Sequence, residues 1–200
     1  SNRPQVKRLT CGLLRAKNDY VFAQNDYDLG FCEIFRSIDA IIRTSKKGRR
    51  CMVYYTGDIH GNAKAIVAFA QYFELTESDT IVILGDVGAN YYGNRRDRYC
   101  KDALARIKPT VFCIHGNHER RPDTLTGYKQ KEWNSGLVWY EDEYPNLLFA
   151  RDGDIFTMEG TRHLVIGGAY SVDKYYRLEN DLLWFADEQP SAEIKTYVED

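Results

Sequence analysis

The sequence predicts an α/β domain on a parallel β-α-β-α-β core, and three observations predict it. Nearly continuous, β-rich apolar runs at Met52 to Thr56, Thr80 to Leu84 and Thr110 to Ile114 read as strands buried on both faces. Between them, Ile66, Phe69, Ala70 and Phe73, and then Cys100, Ala103, Leu104 and Ile107, recur at i, i+3, i+4, i+7 and read as two amphipathic helices. Each strand ends at once in a glycine-bearing polar cluster. Right-handed crossovers through the two helices make the strands parallel, so their carboxyl ends face one crevice.

The remaining elements follow in chain order. Residues 1–50 read as an N-terminal extension, with residues 51–200 as the domain proper. In the extension, Phe31, Ile34, Phe35, Ile38, Ile41 and Ile42 form an apolar stripe at helical spacing, closed by the basic turn Ser45-Lys46-Lys47-Gly48-Arg49-Arg50. This predicts one amphipathic helix whose apolar face docks on the domain. After Arg121 the pattern changes: Leu137 to Tyr140, Leu147 to Ala150, Asp154 to Met158 and His163 to Ile166 read as short strands separated by Pro-Asn, Asp-Gly and Glu-Gly turns. Pro190 and Ser191 open a last helical segment through Ile194 and Val198. A chain that stops there suggests an incomplete C-terminal part.

Composition excludes several classes. With 44% hydrophobic and 14% aromatic residues among 200, the chain can bury an ordinary core and is not a disordered segment. A formal charge of −2 gives no global reason to expect nucleic acid or an anionic membrane as partner. No apolar run approaches the roughly 20 residues needed to span a bilayer, and the start lacks the order of a signal peptide. Five scattered cysteines (Cys11, Cys32, Cys51, Cys100, Cys113) include no C-x-x-C pair and read as reduced thiols of a cytoplasmic protein.

The chemistry sits in the three clusters: Gly57-Asp58-Ile59-His60-Gly61-Asn62, Gly85-Asp86 and Gly116-Asn117-His118-Glu119. Carboxylate, imidazole and amide oxygen together suit Mn, Fe or Zn, and a carboxylate can bridge two ions. An Asp after a strand is by itself an ordinary turn or cap residue. Two of them followed by an Asn-His pair, each at a strand end, are far more specific.

D-x-H, G-D and G-N-H-E in this order resemble the calcineurin-like metallophosphoesterases, over roughly Met52 to Glu119. The resemblance implies an α/β/β/α sandwich and hydrolysis of phosphate esters by a water activated between two divalent metal ions, with Mn ahead of Fe or Zn. By position, Asp58 and His60 would hold the first ion, Asp86 would bridge both, and Asn117 would hold the second and approach the phosphate. His118 would protonate the leaving oxygen, and Arg120 is a further substrate-binding candidate. A phosphorylated small molecule, a nucleotide or a phosphoprotein is the implied substrate range, with nucleic acid disfavoured by the acidic pI. Two-metal chemistry supports these roles: paired cations lower the pKa of a bridging water and clamp phosphoryl oxygens during in-line attack, and an imidazole titrates near neutrality.

The sequence also departs from the family. Relatives complete the site with a later His and a Gly-His-x-His, whereas the four histidines here are His60, His115, His118 and His163. His163, at the start of a strand, would lie on the order of 13 Å from the ligand end, at about 3.3 Å per residue. His115 reads as a sheet or supporting residue. After Asp86, Val87-Gly88-Ala89-Asn90 stands where protein phosphatases carry acidic and basic residues, so that loop offers His118 no carboxylate. Tyr91 to Arg98 reads either as a base-stacking and phosphate-pairing segment or as a solvated helix start; Arg121 is a second phosphate candidate; Gly167 to Ser171 is a segment that could line the crevice. The rival to an enzyme is a noncatalytic metal- or phosphate-binding module, and a third reading is a phosphodiesterase.

Overall fold

The computed structural model describes residues 14–16, 19–22 and 51–199. Among the described residues the strands are β1 (Leu14–Ala16), β2 (Asp19–Phe22), β3 (Val53–Thr56), β4 (Thr80–Leu84), β5 (Thr110–Ile114), β6 (Lys129–Trp133), β7 (Gly136–Tyr140), β8 (Leu147–Ala150), β9 (Ile155–Met158) and β10 (Thr161–Leu164). The α-helices among the same residues are α1 (Lys64–Tyr72), α2 (Arg95–Ala105), α3 (Lys174–Glu179) and α4 (Ala192–Glu199).

The first eight strands form one sheet in the order β1-β2-β3-β4-β5-β8-β7-β6, and β9 and β10 form a second. β3, β4 and β5 are parallel neighbours, Tyr54 opposite Ile81 and Val82 opposite Phe112, with α1 and α2 as the crossovers. The mixed α/β architecture predicted for the core is therefore the one found. β2 runs parallel beside β3, Val21 opposite Tyr55, so strands from the upstream region extend the same sheet. The predicted helix over Phe31 to Ile42 lies outside the described residues.

Alternation along the central strands divides the core. Tyr54, Ile81, Ile83, Val111 and Cys113 point to one face, where Ile66, Phe69 and Ala70 of α1 and Cys100 and Leu104 of α2 cover them. Val53, Val82 and Phe112 point to the other, against Phe156 and Met158 of β9. A strand with helices on one face and a sheet on the other carries apolar residues at every position, which is why these runs are continuous.

The C-terminal third corrects the predicted pattern in detail. β8 joins the central sheet, parallel beside β5 with Phe112 opposite Leu148 and antiparallel beside β7 with Phe149 opposite Trp139. β6, with the polar sequence Lys-Gln-Lys-Glu-Trp, was not foreseen, because it is a mostly exposed edge strand paired only through β7. The strand expected over His163 to Ile166 is instead β10, ending at Leu164, and α3 was not foreseen because no residue of it is buried.

Candidate metal centre

The loops after β3 and β4 are bonded to each other before any ligand is considered. The Ile59 and His60 amides donate to the Asp86 carbonyl at 3.3 and 2.8 Å, and the Gly61 amide donates to Val87 O at 2.8 Å. The loop after β5 joins them: the His118 amide donates to Asp86 Oδ1 at 2.8 Å. His60 and Asp86 both have positive φ, 43° and 45°, an uncommon conformation outside glycine. Two such residues in contact mark a locally strained centre, as binding sites often are.

One ligand atom from each of His60, Asp86 and His118 lies within 4.8 Å of the others. Asp58 is at the rim, its Oδ2 3.8 Å from His60 Nε2, with both side chains more than half exposed. His118 Nδ1 is 3.6 Å from Asp86 Oδ2, and its Nε2 is buried without a hydrogen-bond partner. Asn117 donates Nδ2 to Ser171 Oγ at 2.8 Å, which leaves its amide oxygen as the ligand-competent atom. Two imidazoles and a carboxylate converging on a strained loop junction fit a divalent transition metal.

The family model for calcineurin-like phosphoesterases matches residues 52–198, from the first central strand to the last helix. The chain belongs to that family. No curated protein and no solved structure gave a significant match. This metallophosphoesterase therefore carries metal-dependent phosphate-ester hydrolysis as its family chemistry, and the His-Asp-His cluster is its metal-competent group. Among the described residues, no helix is long and apolar enough to cross a membrane.

Other residues of the phosphoesterase fall outside or beside the cluster. His163 bonds Tyr55 Oη at 2.8 Å on the second sheet, away from the loop junction. His115 is buried, and burial together with the nearby Arg121 charge lowers its pKa to about 3, so it stays neutral. Arg121 pairs with Asp152 at 2.5 Å and donates to Asp187 O, so its charge is already used within the fold. Arg120 has its guanidinium 5.7 Å from the Phe185 ring and lines, with Asn90 and Arg98, a cavity of about 240 Å³. In the Tyr91 to Arg98 stretch, Asn94 caps α2 through the Arg96 amide, and Asp97 accepts the Tyr92 and Gly93 amides. That geometry is a built helix start.

Glu119, already part of the third cluster in the sequence, and two residues not singled out from sequence, Glu188 and Asp173, support the site. Glu119, 2% exposed, accepts the Gly116 amide through Oε1 at 2.9 Å, and the Val87 and Gly88 amides face it too. Glu188 accepts the Ser171 amide and Trp184 Nε1 through Oε2, holding the segment that reaches Asn117. Asp173 places Oδ1 3.8 Å from His118 Nε2. The capping-box-like context of Glu119 was a faint signal; Asp173 and Glu188 are 55 and more residues from the cluster they serve and gave none.

Proposed function

We propose that the protein hydrolyses phosphomonoesters with two divalent cations, manganese ahead of iron or zinc. Asp58 and His60 would hold the first, Asp86 would serve both, and Asn117 would offer its amide oxygen to the second and to the substrate phosphate. Such cations, when bound, supply Lewis acidity and charge neutralisation for attack of water on phosphorus. His118 delivers a proton to the leaving oxygen as the P–O bond breaks, and the Arg120 guanidinium offsets phosphate charge. The observation that carries this reading is the convergence of His60, Asp86 and His118 from three separate strand ends to within 4.8 Å. Phosphorylated small molecules, nucleotides or phosphoproteins are the substrate range, and buried free thiols at Cys100 and Cys113 fit a cytoplasmic setting.

A noncatalytic metal- or phosphate-binding module is the second reading. It is favoured by the position of His163, whose ring is engaged by Tyr55 and adds nothing to the cluster. Metal content and hydrolysis of p-nitrophenyl phosphate separate the two. The enzyme reading expects close to two ions per chain and turnover abolished by Asp86→Ala. One ion or fewer, with no turnover of mono- or diester, establishes the binding module. Preference for bis-p-nitrophenyl phosphate would move the assignment to a phosphodiesterase.

A further inference from the structure

We infer that Asp173, held by Arg177, is the carboxylate that positions the His118 imidazole; this rests on His118 being the proton donor proposed above. The ring stands between two carboxylates. Nδ1 faces Asp86 Oδ2 at 3.6 Å, and Nε2 faces Asp173 Oδ1 at 3.8 Å. The third titratable neighbour is His60, its ring centroid 5.9 Å away. Nε2 is buried and has no hydrogen-bond partner, although buried polar atoms are nearly always satisfied. Asp173 Oδ1 is the acceptor within reach of it. A change of about 1 Å closes the gap to hydrogen-bond length, and catalytic contacts are often long before substrate binds.

Asp173 is set up for this task. It immediately precedes α3, where a short acidic side chain ordinarily caps the helix, yet it makes no capping bond. Its carboxylate is turned the other way: Oδ2 accepts Arg177 Nε at 2.7 Å while Oδ1 is presented to His118. Arg177 is in turn fixed by Tyr91 Oη at 3.1 Å and Leu183 O at 3.2 Å. The loop after β4 does not compete for the ring, since Asn90 Oδ1 accepts from Tyr128 Oη at 2.8 Å.

A carboxylate on Nε2 fixes both tautomer and ring orientation. It keeps a proton on Nε2 and directs Nδ1 to the Asp86 side, where the metal-competent cluster lies. The donor is the imidazolium, protonated at both nitrogens: the Nδ1 proton passes to the leaving oxygen as the P–O bond breaks, and the ring is left as the neutral Nε2–H tautomer. Asp173 keeps its hydrogen bond throughout and is neither protonated nor consumed.

The test uses the full chain with Asp173→Asn, which preserves size and capping ability, and His118→Asn as the reference. In metal-free protein at a pH where the imidazole is neutral, long-range 1H–15N spectra should show wild-type His118 protonated at Nε2. In Asp173→Asn the proton should shift toward Nδ1, which still faces the Asp86 carboxylate at 3.6 Å. In metal-loaded protein, kcat for phenyl phosphate, whose leaving group needs the proton, should fall about 10- to 100-fold in Asp173→Asn. For p-nitrophenyl phosphate, which leaves readily as an anion, the fall should be smaller, with KM little changed for either. Arg177→Lys should move both readouts in the same direction. If Asp173→Asn leaves tautomer and leaving-group ratio as in wild type while His118→Asn alters the ratio, positioning by Asp173 is overturned and the proton-donor role stands. If His118→Asn leaves the ratio unchanged, both fall. The tautomer measurement decides the proposal even where the loaded chain shows no turnover.

Discussion

At Glu119 a carboxylate with 2% of its surface exposed accepts the Gly116 amide and lies against the amides of Val87 and Gly88. Burial, with a smaller push from Asp86, raises its pKa to about 7, against the pull of those amides. The fold tolerates this cost because the same carboxyl ties the loop after β5 to the loop after β4, which carry His118 and Asp86. Glu119→Ala should therefore cost about 1–3 kcal/mol of stability, the penalty for a buried donor left without an acceptor. Glu119→Gln retains an oxygen for Gly116 and should cost about 1 kcal/mol or less, both read from urea unfolding. A larger loss for Gln than for Ala would show that the charge, and not the acceptor, holds the loops. Its place beside His118 is visible in the sequence, but its amide partners are fixed only once two loops meet.

At the scale of elements, the metal centre is three loops at neighbouring strand ends pressed together, and glycine makes the approach possible. A Cβ on Gly88, whose φ is +74°, would sit 2.3 Å from the Gly61 nitrogen; one on Gly116 would sit 2.1 Å from the Asp86 nitrogen. Gly88→Ala should thus separate the loops after β3 and β4, costing about 1–3 kcal/mol in backbone strain and weakening metal affinity at least tenfold. Calorimetric titration with Mn2+ reads the affinity, and unchanged binding would show that the loops can part without disturbing the ligands. The strands and helices of this core are legible in sequence because each buries a regular face. Phe69 and Leu104 declare their helices, and Ile81 to Ile83 their strand. β6 and α3 declare nothing, since an edge strand reading Lys-Gln-Lys-Glu-Trp and a helix without a buried residue carry no periodic signal.

For the whole molecule, the cluster links distant parts of one chain, so metal binding should register in global stability. An ion present at 100 times its dissociation constant stabilises the folded state by about 2.7 kcal/mol. For a chain of this size that corresponds to a rise in Tm of roughly 5–10 °C. Thermal unfolding in EDTA against Mn2+ should show that rise in the wild-type chain and not in Asp86→Ala; equal shifts in both would place the binding elsewhere.

Sequence alone determined the β-α-β-α-β core, the family, and the three clusters that meet at the loop junction, since each depends on spacing within a short stretch. Asp58, His60, Asp86, Asn117 and His118 could be named because they stand, in order, in polar clusters at three strand ends that resemble the family's motifs. Tertiary structure decided which partners complete them. Ser171 reaches Asn117, Asp173 faces His118, Arg121 is taken up by Asp152, and His163 is carried away to Tyr55. Those pairings join residues 31 to 108 positions apart, and no local periodicity encodes a contact made only when separate elements pack.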